Sequence, residues 1–225
     1  VSLERALDET RTGDLWLFRG TSRPDRAIQT MSNAPVNHVG MTIAIEDLPP
    51  LIWHAELGDK LMDMWTGGHH RGVQLHDARQ AVERWVRDYH QRCWLRQLIP
   101  EATREQEDKA LQVVARMDGT PFPSTARLTG RWFRGRISAT DFTRGIPFLH
   151  RKVSESARRK KREKLQTGLE TAYCAETVAI TYEQMGLLQT EKHYNWFDPG
   201  VFWSGDNLPL APGYRLGKEI AVVVD

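Results

Sequence analysis

Residues 37–45 read NHVGMTIAI, and their two-residue alternation constrains the fold more than any other stretch of the chain. His38, Gly40, Thr42 and Ala44 fall on one side, and Val39, Met41, Ile43 and Ile45 on the other. Successive side chains of a strand point to opposite faces, so this is a strand with one bulky apolar face and one small or polar face. Pro49-Pro50 breaks the chain, and residues 51–57 form the next strand, on which His54 and Glu56 share a face. A hairpin-like pairing of the two strands brings His38 near His54 or Glu56.

The rest of the chain supplies partners for such a sheet. A short helix over 2–9 precedes Gly13-Asp14 and a buried strand, LWLF, at 15–18; a second short helix is expected around 25–31. Beyond the loop Gly67-Gly68-His69-His70 come a short strand at 72–75, a helix over 77–88 with Ala81, Val82, Trp85 and Val86, and a strand over 91–99. Residues 101–117 make the clearest helix: acidic at the start, apolar at Ala110, Val113, Val114 and Met117, and stopped by Gly119 with Pro121 beyond. A further helix opens at Tyr173-Cys174-Ala175-Glu176, with Val178, Ala179, Tyr182 and Met185 at core-facing spacing and Gly186 at its end. A strand over 219–224 closes the chain. Strands and helices in this mixture predict an α+β fold with a small antiparallel sheet.

With 225 residues, 40% of them hydrophobic, the chain has enough apolar surface for one core, and a single domain over 1–225 is expected. Apolar stretches such as 40–45 and 220–224 fall far short of the roughly 20 residues that a membrane-crossing helix needs. The opening VSLERALDETRTGD has neither an apolar signal core nor a small-residue cleavage site, so no secretory signal is expected. Two cysteines, Cys93 and Cys174, exclude a disulfide scaffold and fit a cytoplasmic location.

The formal charge of +2 conceals an asymmetry. Residues 127–164 carry 13 basic side chains against 3 acidic ones, +10, which leaves −8 for the remainder. Glycines and Pro147 among aromatics make this stretch read as a basic insertion at about 127–165. Its run Arg158, Arg159, Lys160, Lys161, Arg162 and Lys164 reads first as a solvated helix face. The partner it would suit is an anionic membrane surface, ahead of nucleic acid, giving a membrane-peripheral position.

A thiol in the first turn of a helix feels the positive end of the macrodipole and unpaired backbone N–H groups, both of which favour the thiolate. A histidine on a neighbouring strand then takes the proton, and a second polar group orients that imidazole. Cys174, His38 and His54 are the residues such an arrangement would use. The competing reading makes Cys174 a buried small hydrophobe, the commoner fate of a cysteine.

Gly13-Asp14-Leu15, the strand from Asn37-His38-Val39-Gly40-Met41, and Tyr173-Cys174-Ala175-Glu176-Thr177-Val178-Ala179 together resemble the permuted branch of the NlpC/P60 (papain-like) superfamily. That branch includes YiiX-like hydrolases and the lecithin:retinol acyltransferase relatives, and histidine before cysteine marks the permutation. The resemblance covers about residues 13–76 and 171–188, and it implies a circularly permuted papain-like fold. Carried over by position, it makes Cys174 the nucleophile and His38 the general base on the strand facing the cysteine helix. YiiX-like proteins usually have an acidic residue in the third place; His54 stands there, as in the acyltransferase relatives, with Glu56 on the same strand face as the substitute. Asn37 and Ala175 replace serines of the family pattern, and neither side chain is needed for the attack.

The implied activity is a cysteine hydrolase or acyltransferase acting on an amide or ester through an acyl-thioester, without a cofactor. The backbone N–H of Cys174 would be one oxyanion donor. A small-molecule, lipid or peptide substrate fits equally, because fold resemblance does not choose among pockets. Two alternatives stand beside it: a non-catalytic module of the same fold that binds a membrane or other polyanion through the basic insertion, and an amidase or peptidase acting on cell-wall peptides.

His69-His70 and His76 lack a Cys-x-x-Cys or His-Glu-x-x-His companion and are not read as metal ligands; the pair at 69–70 is expected to be solvent-exposed. Glu176 is expected to anchor its helix, Trp53 and Trp65 to be core rather than acyl-pocket walls, and Cys93 to be structural.

Overall fold

The computed structural model describes residues 1–20, 35–121, 173–204 and 208–224. The helix expected around 25–31 and the basic insertion lie outside the described residues.

Eight strands are described: β1 (Leu15–Arg19), β2 (His38–Ile43), β3 (Leu51–Glu56), β4 (Gly72–Asp77), β5 (Arg92–Arg96), β6 (Leu98–Ile99), β7 (Arg215–Leu216) and β8 (Ile220–Val222). Six form one antiparallel sheet in the order β4-β3-β2-β1-β5-β8, and β6 pairs with β7 beside it. The helices are α1 (Leu3–Glu9), α2 (Ala78–Glu83), α3 (Arg104–Met117) and α4, described over 173–184. This is an α+β arrangement with helices on both faces of the sheet.

Two apolar clusters follow from the two faces. Leu17, Val39, Met41, Ile43 and Trp53 pack with Val114 of α3 and with Val178, Ala179 and Tyr182 of α4. Trp16, Phe18, Ile52 and Leu95 pack on the other face with Leu3 and Leu7 of α1 and with Val82 and Trp85. Sandwiching between helix layers explains why LWLF is a continuous apolar run: a strand buried on both faces has no polar side to display. The bulky side of β2 therefore takes α4, and its small or polar side takes the layer of α1 and α2.

Local signals account for the element ends. The Ser2 hydroxyl accepts from Arg5 N at the start of α1. Thr103 and Gln106 form a reciprocal capping box, which starts α3 later than the expected 101, and Gly119 ends it at φ 70°. The helix expected over 77–88 is instead α2, capped by Asp77, followed by a π turn over Arg84–Asp88. The strand expected over 91–99 is broken at Gln97, because Leu98 N–H donates to Asp14 Oδ1 (2.8 Å) and leaves the main sheet for β7. Asp14 Oδ2 also accepts from Arg11 N (3.0 Å). Gly13 is left-handed at φ 94°, and a Cβ on it would stand 2.9 Å from Leu98 Cδ2. Tyr182 Oη donates to the Gly13 carbonyl, tying α4 to the head of β1. Gly13-Asp14 is thus a structural knot. Among the described residues no helix is long and apolar enough to cross a membrane.

Candidate active site: a histidine relay

β2, β3 and β4 are neighbours, and each brings an imidazole to the same face, displaced by two residues from one strand to the next so that the three form a diagonal row. The register Thr42↔Ile52 and Met41↔Trp53, continued along the strands, sets Gly40 across from His54. Gly40 offers no side chain there: a Cβ would stand 2.7 Å from Ile52 Cδ1 and 3.3 Å from His54 Cβ. His54 consequently reaches diagonally to His38. His38 Nε2 lies 2.9 Å from His54 Nδ1, and His54 Nε2 lies 2.9 Å from His76 Nδ1. His76 Nε2 in turn meets Gln74 Oε1 at 3.0 Å.

The direction of the relay follows from its far end. Gln74 Nε2 donates among the carbonyls of Glu56, Gly58 and Gly72 at 3.2, 3.3 and 3.4 Å, which turns its Oε1 toward His76. An amide oxygen only accepts, so His76 carries its proton on Nε2 and offers Nδ1 as acceptor. His54 must then be protonated on Nε2, and His38 likewise. The lone pair left at the end of the row is His38 Nδ1, which is buried and has no hydrogen-bond partner among the described residues.

Burial keeps these rings neutral. It pushes His38 down to about 3 and His76 to about 4, and it lowers His54 well below the ordinary histidine value, helped by the neighbouring rings. Trp85, delivered by the π turn, lies flat on His38 with ring centroids 3.8 Å apart, and Phe18 stands 5.7 Å away. Glu56 is held by Tyr89 Oη at 2.9 Å and faces Arg84 Nε at 3.7 Å; burial raises its carboxyl.

The structure brings His38 and His54 together, as the strand pairing predicts, and adds His76. Glu56 is placed beside the third imidazole, 3.8 Å from His76 Nδ1. Cys174 is placed elsewhere than beside the base. It is fully buried in the cluster of Val39, Met41 and Trp53, and no hydrogen bond joins it to His38. The expectation that His38 faces the cysteine helix is corrected here: α4 packs on the bulky side of β2, and strand alternation sends His38 to the other. Trp53 is core, its Nε1–H donating to Thr181 Oγ1 of α4 at 3.1 Å, whereas Trp65 is exposed, against expectation. Cys93 is buried with its thiol pushed well up, a structural cysteine, and Glu176 is buried on α4.

Sequence reasoning missed Gln74, His76, Trp85 and Tyr89 as site residues. The signal for the first two was present in VQLHD, where Val73 and Leu75 alternate with Gln74 and His76; ending the strand at Leu75 hid it. A surface cleft of about 400 Å³ lined by Arg11, Asp14, Gln97 and Pro100 lies at the other end of β1 from His38.

No family model matches this chain, and no curated protein matches it. Among solved structures, the chain is similar to metalloprotein yiiX from Escherichia coli O157:H7, DUF1105, with 17% identity, a TM-score of 0.48, and coverage of 94% of this chain and 98% of that one.

Proposed function

We propose that this chain is a cysteine-dependent hydrolase or acyltransferase of permuted papain-like (NlpC/P60) type, with Cys174 as nucleophile, His38 as base and His54 as the group that orients the base. The observation that carries the reading is the buried, unpartnered lone pair of His38 Nδ1 at the end of a relay whose other ring nitrogens are all hydrogen-bonded. A general base needs a free lone pair on one ring nitrogen and a held proton on the other.

In this reading His38 Nδ1 accepts the thiol proton and Sγ attacks a carbonyl carbon. The tetrahedral oxyanion collapses to an acyl-thioester while His38 returns the proton to the departing amine or alcohol. Water or an acceptor hydroxyl then releases the acyl group by the same steps in reverse. The imidazolium formed in between donates from Nε2 to His54 Nδ1, and the relay spreads its charge toward Gln74. The attack requires Sγ within hydrogen-bond reach of His38 Nδ1; with Cys174 packed on the α4 side of β2 and His38 on the other side, this reading requires the first turn of α4 to leave its present packing.

The complete burial of Cys174 in the Val39 cluster favours a second reading, a non-catalytic module of the same fold. The proposed partners are a small-molecule, lipid or peptide substrate in the first case, and in either case an anionic membrane surface met through Arg158, Arg159, Lys160, Lys161, Arg162 and Lys164. Incubation with a p-nitrophenyl ester separates the two. The enzyme reading predicts an acyl mass increment on the intact chain that disappears in Cys174→Ala, and the module reading predicts none.

A further inference from the structure

β4 is an edge strand of the main sheet, and two segments cover its open side. Met64 N donates to Leu75 O, and Leu75 N to Asp63 Oδ1, from the loop between β3 and β4. Gly119 N donates to Val73 O, and Val73 N to Thr120 O, from the end of α3. Where the two segments meet, Asp63, His70 and Asp118 converge. His70 Nε2 lies 3.6 Å from Asp63 Oδ2 and 3.8 Å from Asp118 Oδ2, and one ligand atom from each residue lies within 4.8 Å of the others.

This cluster is built and unsatisfied at once. The Asp63 side chain is fully buried, fixed by Leu75 N at 2.8 Å and by the amide and hydroxyl of Thr66 at 2.7 and 2.6 Å. The Asp118 side chain is 5% exposed, and its Oδ1 is buried without a hydrogen-bond partner. Both ring nitrogens of His70 are in the same condition, so three of the six such atoms among the described residues belong to this one cluster. Buried polar atoms are normally paired, and a concentration of unpaired ones points to a bound group. The separations of His70 from the two carboxylates are too wide for charge-assisted hydrogen bonds, which run about 2.7–2.9 Å, while the two carboxyls stand close enough to share a proton in the absence of an ion. The His70 separations match the roughly 3.4 Å spacing of ligand atoms around a tetrahedral zinc.

We propose that Asp63, His70 and Asp118 form a divalent-cation site that takes Zn²⁺, with water completing its coordination. One imidazole nitrogen with two carboxylates favours zinc over Mg²⁺ or Ca²⁺, which prefer all-oxygen shells. The ion clips the β3–β4 loop to the end of α3 along the edge of the sheet. This site shares no residue with the relay, although Asp63 and His70 act through space on the His76 imidazole, and it does not depend on the thiol chemistry. His54, Glu56 and His76 also lie within 4.8 Å of one another, but the four nitrogens of those two rings are already hydrogen-bonded.

The test is zinc titration of the full chain against a chromophoric chelator, with the unfolding midpoint followed in parallel. One equivalent of Zn²⁺ should bind and raise the midpoint. Binding should weaken roughly tenfold or more in His70→Ala and in Asp118→Asn, and stay unchanged in His76→Gln. His70 is partly exposed, so its alanine variant is expected to fold. Absence of binding by the folded wild-type chain would overturn the proposal, as would loss in His76→Gln with retention in His70→Ala.

Discussion

His38 and His54 share one hydrogen bond of 2.9 Å between Nε2 and Nδ1, and that bond decides which nitrogen of His38 keeps its lone pair. The decision is made at the far end of the relay, at Gln74, whose amide is held by backbone carbonyls.

Replacing Gln74 with Leu removes the acceptor that sets the relay. The buried His76 Nε2–H is then unpaired, at a cost of about 1–3 kcal/mol. Urea denaturation should show a lower midpoint at neutral pH. A midpoint equal to that of the wild type would contradict the assigned direction.

The three neutral imidazoles make stability depend on pH. Their folded-state values, about 3 for His38, about 4 for His76 and a lowered one for His54, lie below the ordinary 6.5 of an unfolded chain. The unfolded chain therefore binds protons first as pH falls. Stability is fully present above about 6.5 and is lost on descent toward 4 and 3, at about 1.4 kcal/mol per pH unit for each ring. Thermal unfolding between pH 7 and 4 should be steeper in the wild type than in His76→Gln, and equal slopes would refute the linkage.

Gly40→Ala places a Cβ 2.7 Å from both Ile52 Cδ1 and Cγ1. Ile52 has to move, and His54 beside it shifts relative to His38. Overpacking of this kind costs about 1–3 kcal/mol. Denaturant melts should report that loss, and the His38 and His54 imidazole proton resonances should shift with it. An unperturbed pair of resonances would show that Gly40 is not what lets the rings meet.

Much of this was legible in the chain and some was not. Alternation in NHVGMTIAI located β2 and both of its faces, and the shared face of His54 and Glu56 on the next strand implied the contact with His38. That contact is a neighbour effect, which strand periodicity encodes. The face chosen by α4 is a matter of packing: Val39, Met41 and Ile43 present the larger apolar surface, so the helix settles there. His76 is weighed in the sequence only as a metal ligand, because ending the strand at Leu75 leaves it off the face that α1, α2 and the π turn make an interior. Asp63, His70 and Asp118 are scattered over two loops, and no local spacing links them.

The basic run at Arg158, Arg159, Lys160 and Lys161 leads to a prediction about partners. Changing these four to Gln should reduce co-sedimentation with phosphatidylserine vesicles at low salt, because each basic residue near such a surface contributes about 1 kcal/mol. Unchanged co-sedimentation would remove the membrane surface from the account.

The central claim is that His38 activates Cys174, and the rate of iodoacetamide alkylation at Cys174 as a function of pH, read by mass spectrometry, tests it most directly. Rapid labelling near pH 6 to 7 that slows in His38→Ala and in His54→Ala is the expected result. Labelling that rises only around the free-thiol value of about 8.5, and is indifferent to both substitutions, would contradict the claim and leave Cys174 a core residue.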